Sequence, residues 1–241
     1  MVPLRPRPVA LEALPRFSRA VRFPMSTSCH IAVFSKTPIP GAVKTRLIPA
    51  LGADGAATLH HRLLRYTLGV VCRAGYPRSL WIAGELAHPA LLDASDDFGI
   101  GLRSQQGADL GARMKCAMQR LLPHADAVLI VGTDCPVLKA EHFDQIFTEL
   151  VNGCEVAAIP AEDGGYVLIG AARGALARRE IVLDALFDDM PWSTDQVMTR
   201  TRERLRQIGA SWHELPPLWD IDRPEDLVRL TTMPRPNVPI L

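Results

Sequence analysis

The sequence lacks paired cysteines. Its five cysteines are an odd number, neighbours along the chain are at least 19 residues apart, and none belongs to a Cys-x-x-Cys pair. This spacing argues against a zinc site and against a disulfide framework. Free cysteines beside apolar residues are typical of a reducing compartment, so we expect a cytoplasmic protein.

Long apolar runs and an excess of one charge are missing too. No apolar run reaches the ~18 residues that a membrane-spanning helix needs, because charged residues or histidines interrupt every candidate. The formal net charge is +1, from 27 Lys and Arg against 26 Asp and Glu. No general field would hold nucleic acid or an anionic membrane. We therefore expect no membrane span and no nucleic-acid partner, and any phosphate chemistry must depend on a local site.

Length and composition favour one folded domain after a short leader. The 241 residues are 48% hydrophobic and 22% charged, which allows a sizeable core. In the first 24 residues, prolines and arginines alternate around a single acid, Glu12, and there is no apolar segment of signal-peptide type. We expect residues 1–27 to be a disordered leader or a mis-annotated start preceding Met25, with a basic docking tail as the alternative. Residues 28–233 would form the domain, and 234–241 a tail.

From His30 onward, short apolar runs alternate with helical patterns. The runs predict strands at residues 31–35, 79–83, 100–104, 127–131, 155–160 and 166–169, with a late one near 212–215. Apolar residues at helical spacing predict helices within 59–70, 110–121, 143–150 and 193–208. The alternation predicts an α/β fold with a mainly parallel central sheet and helices on both faces. Ligands of such sheets bind beyond the carboxyl ends of the strands.

A basic loop follows the first predicted strand. Residues 36–47 contain three cations, two threonines, two prolines and a glycine, and the prolines and glycine argue against a helix. The donors suit phosphate oxygens, although neither Walker nor Rossmann glycine spacing is present. We predict phosphate binding by Lys36, Gly41, Lys44, Thr45 and Arg46. A solvated basic loop is the alternative.

Asp134 follows a strongly apolar strand, in the motif Gly-Thr-Asp-Cys-Pro. The strand delivers this carboxylate to the expected cleft, and Pro136 ends the strand pairing. Mg²⁺ or Mn²⁺ takes one or two carboxylates and completes its shell with phosphate oxygens and water. We predict that Asp134 binds the metal, with capping of the next helix as the alternative.

A second acidic motif, Trp-Asp-Ile-Asp-Arg-Pro-Glu-Asp-Leu, occupies residues 219–227. In an extended chain, Asp220 and Asp222 would point the same way and could supply a second carboxylate. The alternative is structural: Asp222 with Glu225 fits a capping box, and Pro224 suits a first helical turn.

The motif Glu-Asp-Gly-Gly-Tyr lies between two apolar strands. It predicts a tight hairpin turn at Gly164 and Gly165, because Asp-Gly is a common hairpin signal. The functional alternative is a wall for a sugar or acceptor made by Glu162, Asp163 and Tyr166 with the two glycines, where Asp163 would act as a base.

Two weaker segments complete the candidates. Gln106 could contact a base edge and Arg113 a phosphate, although both lie among helix-start signals. Trp192, Ser193 and Thr194 could contact an acceptor, although an N-cap fits that segment as well.

Six motifs occur in a fixed order, and together they carry a resemblance. They are Lys-Thr-Pro-x-Pro-Gly-x-Val-Lys-Thr-Arg-Leu, Gln-x-Gly-x-Asp-Leu-Gly-x-Arg-Met, Gly-Thr-Asp-Cys-Pro, Glu-Asp-Gly-Gly-Tyr, Trp-Ser-Thr and Asp-Ile-Asp-x-Pro-Glu-Asp-Leu. Over about residues 28–232 the chain resembles the bacterial glycosyltransferase-like family of the GT-A (nucleotide-diphospho-sugar transferase) superfamily. The resemblance implies a GT-A fold, a nucleotide-sugar donor and Mg²⁺ or Mn²⁺.

The resemblance also assigns residues. Asp134 matches the acid that holds the metal in this superfamily. The segment 221–227 is similar to the end of sugar-activating cytidylyltransferases, whose Asp before x-Pro is the second metal ligand, and this favours Asp222 over Asp220. The basic loop also looks like that of the phospholactate and molybdenum-cofactor guanylyltransferases. Where many glycosyltransferases have Asp-x-Asp, this chain has a single Asp.

Three functions follow. The first is metal-dependent glycosyl transfer from a nucleotide-diphospho-sugar to a small acceptor, with Asp163 as the base and Lys44 and Arg46 assisting. The second is nucleotidyl transfer from a nucleoside triphosphate, with Lys36, Lys44, Arg46 and Arg113 stabilising the developing charge. The third is nucleotide binding without turnover.

Overall fold

A computed structural model describes residues 28–232 of the chain. The predictions of a leader at 1–27 and a tail at 234–241 lie outside these residues. The strands are β1 Cys29–Lys36, β2 Arg78–Ala83, β3 Gly101–Ser104, β4 Ala127–Val131, β5 Val156–Pro160, β6 Tyr166–Ala172 and β7 Trp212–Glu214. All seven coincide with the strands predicted from the apolar runs, within a few residues at the ends.

These strands form one sheet in the order β3-β2-β1-β4-β6-β5-β7. The neighbours of β1, which are β2 and β4, run parallel to it, whereas β6 is antiparallel to both β4 and β5. The carboxyl ends of β1, β2 and β4 therefore meet at one edge of the sheet, where parallel sheets bind ligands.

The helices lie on both faces of the sheet. They are α1 Ile48–Ala74, α2 Pro89–Phe98, α3 Leu110–Leu121, α4 Ala140–Val151, α5 Leu176–Phe187, α6 Val197–Gln207 and α7 Pro224–Thr232, and a 3-10 helix, Thr45–Leu47, precedes α1. The predicted α/β fold with a mainly parallel sheet is confirmed. Helices α2 and α5 were not predicted. The helix expected from residue 193 begins at Val197, because Ser193 has a positive φ of 65° and Thr194 donates a hydrogen bond to the Pro191 carbonyl.

Each face of the sheet has its own core. Ile31 and Val33 of β1 join the core that contains residues of α1, α2 and α4, whereas Ala32 and Phe34 join the core that contains residues of α3, α5 and α6. Burial on both faces explains why β1, β2, β4, β5 and β6 are nearly continuous apolar runs rather than alternating ones, whereas the edge strands β3 and β7 are more exposed. None of the helices between residues 28 and 232 is both long and apolar enough to cross a membrane.

A third, smaller apolar cluster positions the site. Leu47 at the end of the basic loop packs with Leu59 and Leu63 of α1, Ile221, and Leu230 of α7. Leu47, Leu63 and Ile221 are completely buried. The cluster therefore holds the basic loop against the acidic segment 219–222, which is 170 or more residues later in the sequence.

Candidate active site

The basic loop leaves β1 and is held by buried apolar residues at Val43 and Leu47. Lys44, between them, has a left-handed backbone with φ 49°. Gly41 also has a positive φ, which glycine adopts at little cost. The side chains of Lys36, Thr45 and Arg46 are exposed at the carboxyl end of the sheet. The loop thus presents its cations where the sequence predicted a phosphate site.

Lys44 and Asp134 form an ion pair that we call the inner pair. The Lys44 Nζ lies 2.8 Å from Oδ1 of Asp134 and donates a hydrogen bond to the Ile221 carbonyl. The Lys44 side chain is 4% exposed, whereas that of Asp134 is 46% exposed, so part of this carboxylate faces solvent. Burial opposes ionisation of Asp134, but the charge of Lys44 overcomes it and holds the pKa of Asp134 below its ordinary value. Asp134 does not cap α4, whose N-cap is Lys139.

The segment 218–222 forms the wall opposite the loop. Leu218 donates to the Pro160 carbonyl over 3.0 Å and accepts from the Glu162 N–H at the same distance. Three residues later, the Ile221 N–H donates to the Asp134 carbonyl over 2.9 Å. The structure thus brings the two acidic motifs of the sequence together beside the basic loop, and we call the surface between this segment and the loop the cleft.

Arg46 and Asp222 form a second ion pair, the outer pair, across the same cleft. Arg46 is 55% exposed and Asp222 is 31% exposed, so water screens this pair more than the inner one. The expected capping box of Asp222 with Glu225 is wrong, because the Asp226 carboxylate accepts from the N–H groups of residues 222 and 223. Pro224 is the first residue of α7, as its position predicted.

Asp220 has a different environment from Asp222. Within residues 28–232, no hydrogen bond or ion pair holds its carboxyl group. Burial, followed by the negative charges of Asp163 and Asp134, raises the pKa of Asp220 to about 7. No cation within residues 28–232 pairs directly with this carboxyl group, and residue types along the chain do not reveal this.

His60 is a residue at the site that the sequence did not single out. It is 5% exposed, and its Nε2 lies 3.0 Å from the Lys36 carbonyl and 3.2 Å from the Ser35 hydroxyl. Burial lowers the pKa of His60, so the ring is neutral where it contacts the end of β1. The pair His60 and His61 lacks ligand-like spacing, and only the packing of α1 against β1 reveals this contact.

The Glu-Asp-Gly-Gly-Tyr motif forms the predicted hairpin turn between β5 and β6. The exposed Asp163 accepts a hydrogen bond from the Gly165 N–H over 3.0 Å, while Glu162 pairs with Arg229 of α7 at 2.7 Å. Gly164 has φ 93°, and a Cβ there would lie 2.2 Å from the Asp195 carbonyl oxygen. The glycine is therefore required for the turn to pack against the segment that precedes α6.

Tyr166 and Trp192 form an edge-to-face pair beside this turn, with ring centroids 6.2 Å apart. The Tyr166 hydroxyl is buried and has no hydrogen-bond partner among the described residues; burial raises its pKa. Trp192 packs against Gly111 of α3, where a Cβ would lie 2.6 Å from the indole nitrogen. The segment 192–194 thus joins the hairpin to the start of α3.

Gln106 and Arg113 both form hydrogen bonds with nearby residues. Arg120 donates to the Gln106 side chain over 2.6 Å, and the Arg113 Nε donates to the Gly107 carbonyl over 3.2 Å. Asp109 caps α3 by accepting from the Ala112 N–H, so the helix-start interpretation of this segment is correct. Roles for Gln106 and Arg113 in ligand binding remain predictions.

Carboxylates of the kind that hold a hard divalent cation lie beside the basic loop. Across residues 28–232, no set of three or more His, Cys, Asp or Glu side chains is arranged to hold a metal. Mg²⁺, however, is commonly held by one or two carboxylates with substrate phosphates and water. The half-exposed Asp134 and the uncompensated Asp220 offer such oxygens beside the cations of the loop.

The mainly parallel sheet, with the basic loop at the carboxyl ends of its strands, has the fold of the nucleotide-diphospho-sugar transferases, the GT-A fold. More particularly, the chain belongs to the bacterial family described as "Uncharacterized protein conserved in bacteria (DUF2064)", which matches residues 67–194, more than half of the chain.

Solved structures agree with this fold. A candidate nucleotide-diphospho-sugar transferase from Desulfovibrio desulfuricans is 30% identical, with a TM-score of 0.76 over 86% of this chain and 87% of that one. A cytidylyltransferase from Leptospira borgpetersenii is 14% identical, with a TM-score of 0.58 over 85% of each chain. A manganese complex of the Mycobacterium tuberculosis protein Rv0371C is 19% identical, with a TM-score of 0.53 over 86% of this chain and all of that one. No functionally curated protein sequence matches the chain.

Proposed function

We propose that this protein is a metal-dependent transferase that moves a glycosyl group from a nucleotide-diphospho-sugar to a small acceptor. The observation that carries the proposal is the contact of Lys44 with both Asp134 and Ile221. It joins a loop suited to phosphate with an acidic wall suited to a cation, and a diphosphate with its metal needs both. The similarity to the Desulfovibrio desulfuricans structure supports the same class.

The loop would bind the diphosphate of the donor. Lys44 can turn from Asp134 to phosphate oxygens, where it would stabilise the charge that develops on the leaving group, while the exposed Arg46 would add a smaller contribution screened by water. Lys36, Gly41 and Thr45 would contribute further donors. A bound Mg²⁺ or Mn²⁺, held by Asp134 and a carboxylate of the segment 220–222, would neutralise the leaving diphosphate.

The hairpin would bind the acceptor. Asp163 is exposed at the tip of the turn and is close enough to Asp220 to raise its pKa. From there Asp163 would take the proton of the acceptor hydroxyl as that oxygen attacks the anomeric carbon and the bond to the diphosphate breaks. Tyr166 and Trp192, with Ser193 and Thr194, would form the wall that faces the sugar or acceptor.

Nucleotidyl transfer is the second candidate, and the three positively charged side chains of the basic loop favour it. An acceptor phosphate oxygen would attack the α-phosphorus of a nucleoside triphosphate, and pyrophosphate would leave. Lys36, Lys44, Arg46 and Arg113 would then stabilise the transferred phosphoryl group.

Donor preference separates the two candidates. We expect nucleotide-diphospho-sugars, in a thermal-shift panel with and without Mn²⁺, to raise the melting temperature more than nucleoside triphosphates, and only with Mn²⁺ present. A larger shift with a triphosphate would favour nucleotidyl transfer. Tight nucleotide binding with neither transfer product would contradict both.

Replacement of the base tests the acceptor side. Asp163→Asn should leave donor affinity unchanged and lower turnover by at least ~100-fold, because general-base catalysis contributes about that much. The matched control is Glu162→Gln, which changes the adjacent exposed acid that is paired with Arg229. Normal turnover of Asp163→Asn would make this turn purely structural.

A further inference from the structure

We infer that Asp220, rather than Asp222, supplies the carboxylate that binds the divalent cation opposite Asp134. The inference rests on the proposed function, since it names the ligand of the same metal. The resemblance to cytidylyltransferases favours Asp222 instead. The evidence for Asp220 is the set of hydrogen bonds and ion pairs made by the segment 218–222.

Two backbone anchors place residue 220 between two other acids. Leu218 is bonded to Pro160 and Glu162, beside the turn that carries Asp163. Ile221 is bonded to the carbonyl of Asp134. The chain between these anchors carries residue 220 across the gap from the hairpin to Asp134.

The electrostatic surroundings agree with that placement. Asp163 and Asp134 are the acids that act most strongly on Asp220, and Asp222 is two residues away along the chain. Lys44 is a cation beside this group, but its Nζ is already shared between Asp134 and the Ile221 carbonyl. A divalent cation is the group that this surplus of negative charge lacks.

The carboxylate of Asp222 already has a cationic partner. Its carboxylate is paired with Arg46, and its N–H is capped by Asp226 at the start of α7. We assign it the role of holding Arg46 at the rim of the cleft.

Anomalous diffraction locates the ion directly. In crystals of the full-length wild-type protein soaked with MnCl₂, data at the manganese edge should show a peak within about 2.5 Å of an oxygen of Asp134 and one of Asp220. Asp222 should remain on Arg46. A peak shared by Asp134 and Asp222 that excludes Asp220, or no peak in this cleft, would overturn the assignment.

Matched variants give a second readout in solution. Electron paramagnetic resonance of free Mn²⁺ should show at least about tenfold weaker binding to Asp220→Asn and a change of less than about threefold for Asp222→Asn. The metal-free melting temperature of Asp220→Asn should not fall, because the substitution removes an uncompensated charge. A lower value, with unchanged Mn²⁺ affinity, would mean that Asp220 is structural.

Mn²⁺ binding to the wild type and to the two variants separates the proposed function from the ligand assignment. If the wild type binds no Mn²⁺ at all, the proposed metal-dependent function fails. If the wild type binds Mn²⁺ and Asp222→Asn abolishes that binding while Asp220→Asn does not, only the ligand assignment fails.

Discussion

The inner and outer ion pairs connect the same loop to the same wall, yet they differ in environment. Lys44 is 4% exposed, while Arg46, two residues later, is 55% exposed. The inner pair adjoins Asp220, whose charge is uncompensated, whereas the outer pair is balanced and beside the capped start of α7. The difference indicates that the catalytic groups lie around the inner pair, and that the outer pair mainly holds the exposed edge of the loop against the segment 219–222.

Removal of the inner cation should have the largest effect. Lys44→Met should lower turnover by about 100- to 1000-fold, as expected for loss of one group that stabilises developing charge. It should also cost about 1–3 kcal/mol of stability, less than for a fully buried pair because Asp134 is half exposed. Steady-state kinetics and urea unfolding measure the two effects. Turnover close to that of the wild type would remove Lys44 from the machinery.

Charge imbalance in the inner region should appear as a pH dependence of stability. The folded protein holds the proton of Asp220 up to a pKa of about 7, whereas an unfolded Asp releases it near ~4. Stability from this group is therefore present below about pH 4 and is lost as the pH rises toward 7. The difference in unfolding free energy between wild type and Asp220→Asn should fall over that range.

This comparison between variants is necessary because the buried histidines oppose the trend. Burial lowers the pKa of His30, His60 and His61, so these groups favour folding as the pH rises through their ordinary range. A difference that does not change with pH would contradict the uncompensated state of Asp220.

Disruption of the outer pair should have the smallest effect. Arg46→Gln should cost less than about 1 kcal/mol of stability and lower turnover by less than about tenfold, because exposed pairs are screened by water. Both effects should shrink as salt is added. A loss equal to that of Lys44→Met would show that the two pairs are functionally equivalent.

The sequence predicts the strands that carry the site better than the hydrogen bonds and ion pairs within it. Apolar runs mark β1, β2, β4, β5 and β6 most clearly, because strands buried on both faces need apolar residues throughout. The position of Asp134 after β4 also follows from that pattern. The pattern does not reveal that Ile221 bonds to Asp134, since that contact depends on long-range packing of Leu47, Leu63 and Ile221.

The same limit applies to individual side chains. Strand alternation places Asp220 and Asp222 on one side but says nothing about which of them meets a cation. His60 is another case, because its contact with the Lys36 carbonyl depends on how α1 crosses β1. Helix α6 starts later than predicted because the positive φ of Ser193 is not apparent from residue type.

We expect Asp134 and the basic loop to bind one ligand together through a metal. Calorimetry of the nucleotide-diphospho-sugar that gives the largest thermal shift, with and without Mn²⁺, tests this in the wild type and in Asp134→Ala. We predict that Mn²⁺ strengthens nucleotide binding to the wild type and has no effect on the variant. An unchanged metal-dependent affinity in Asp134→Ala would contradict the account.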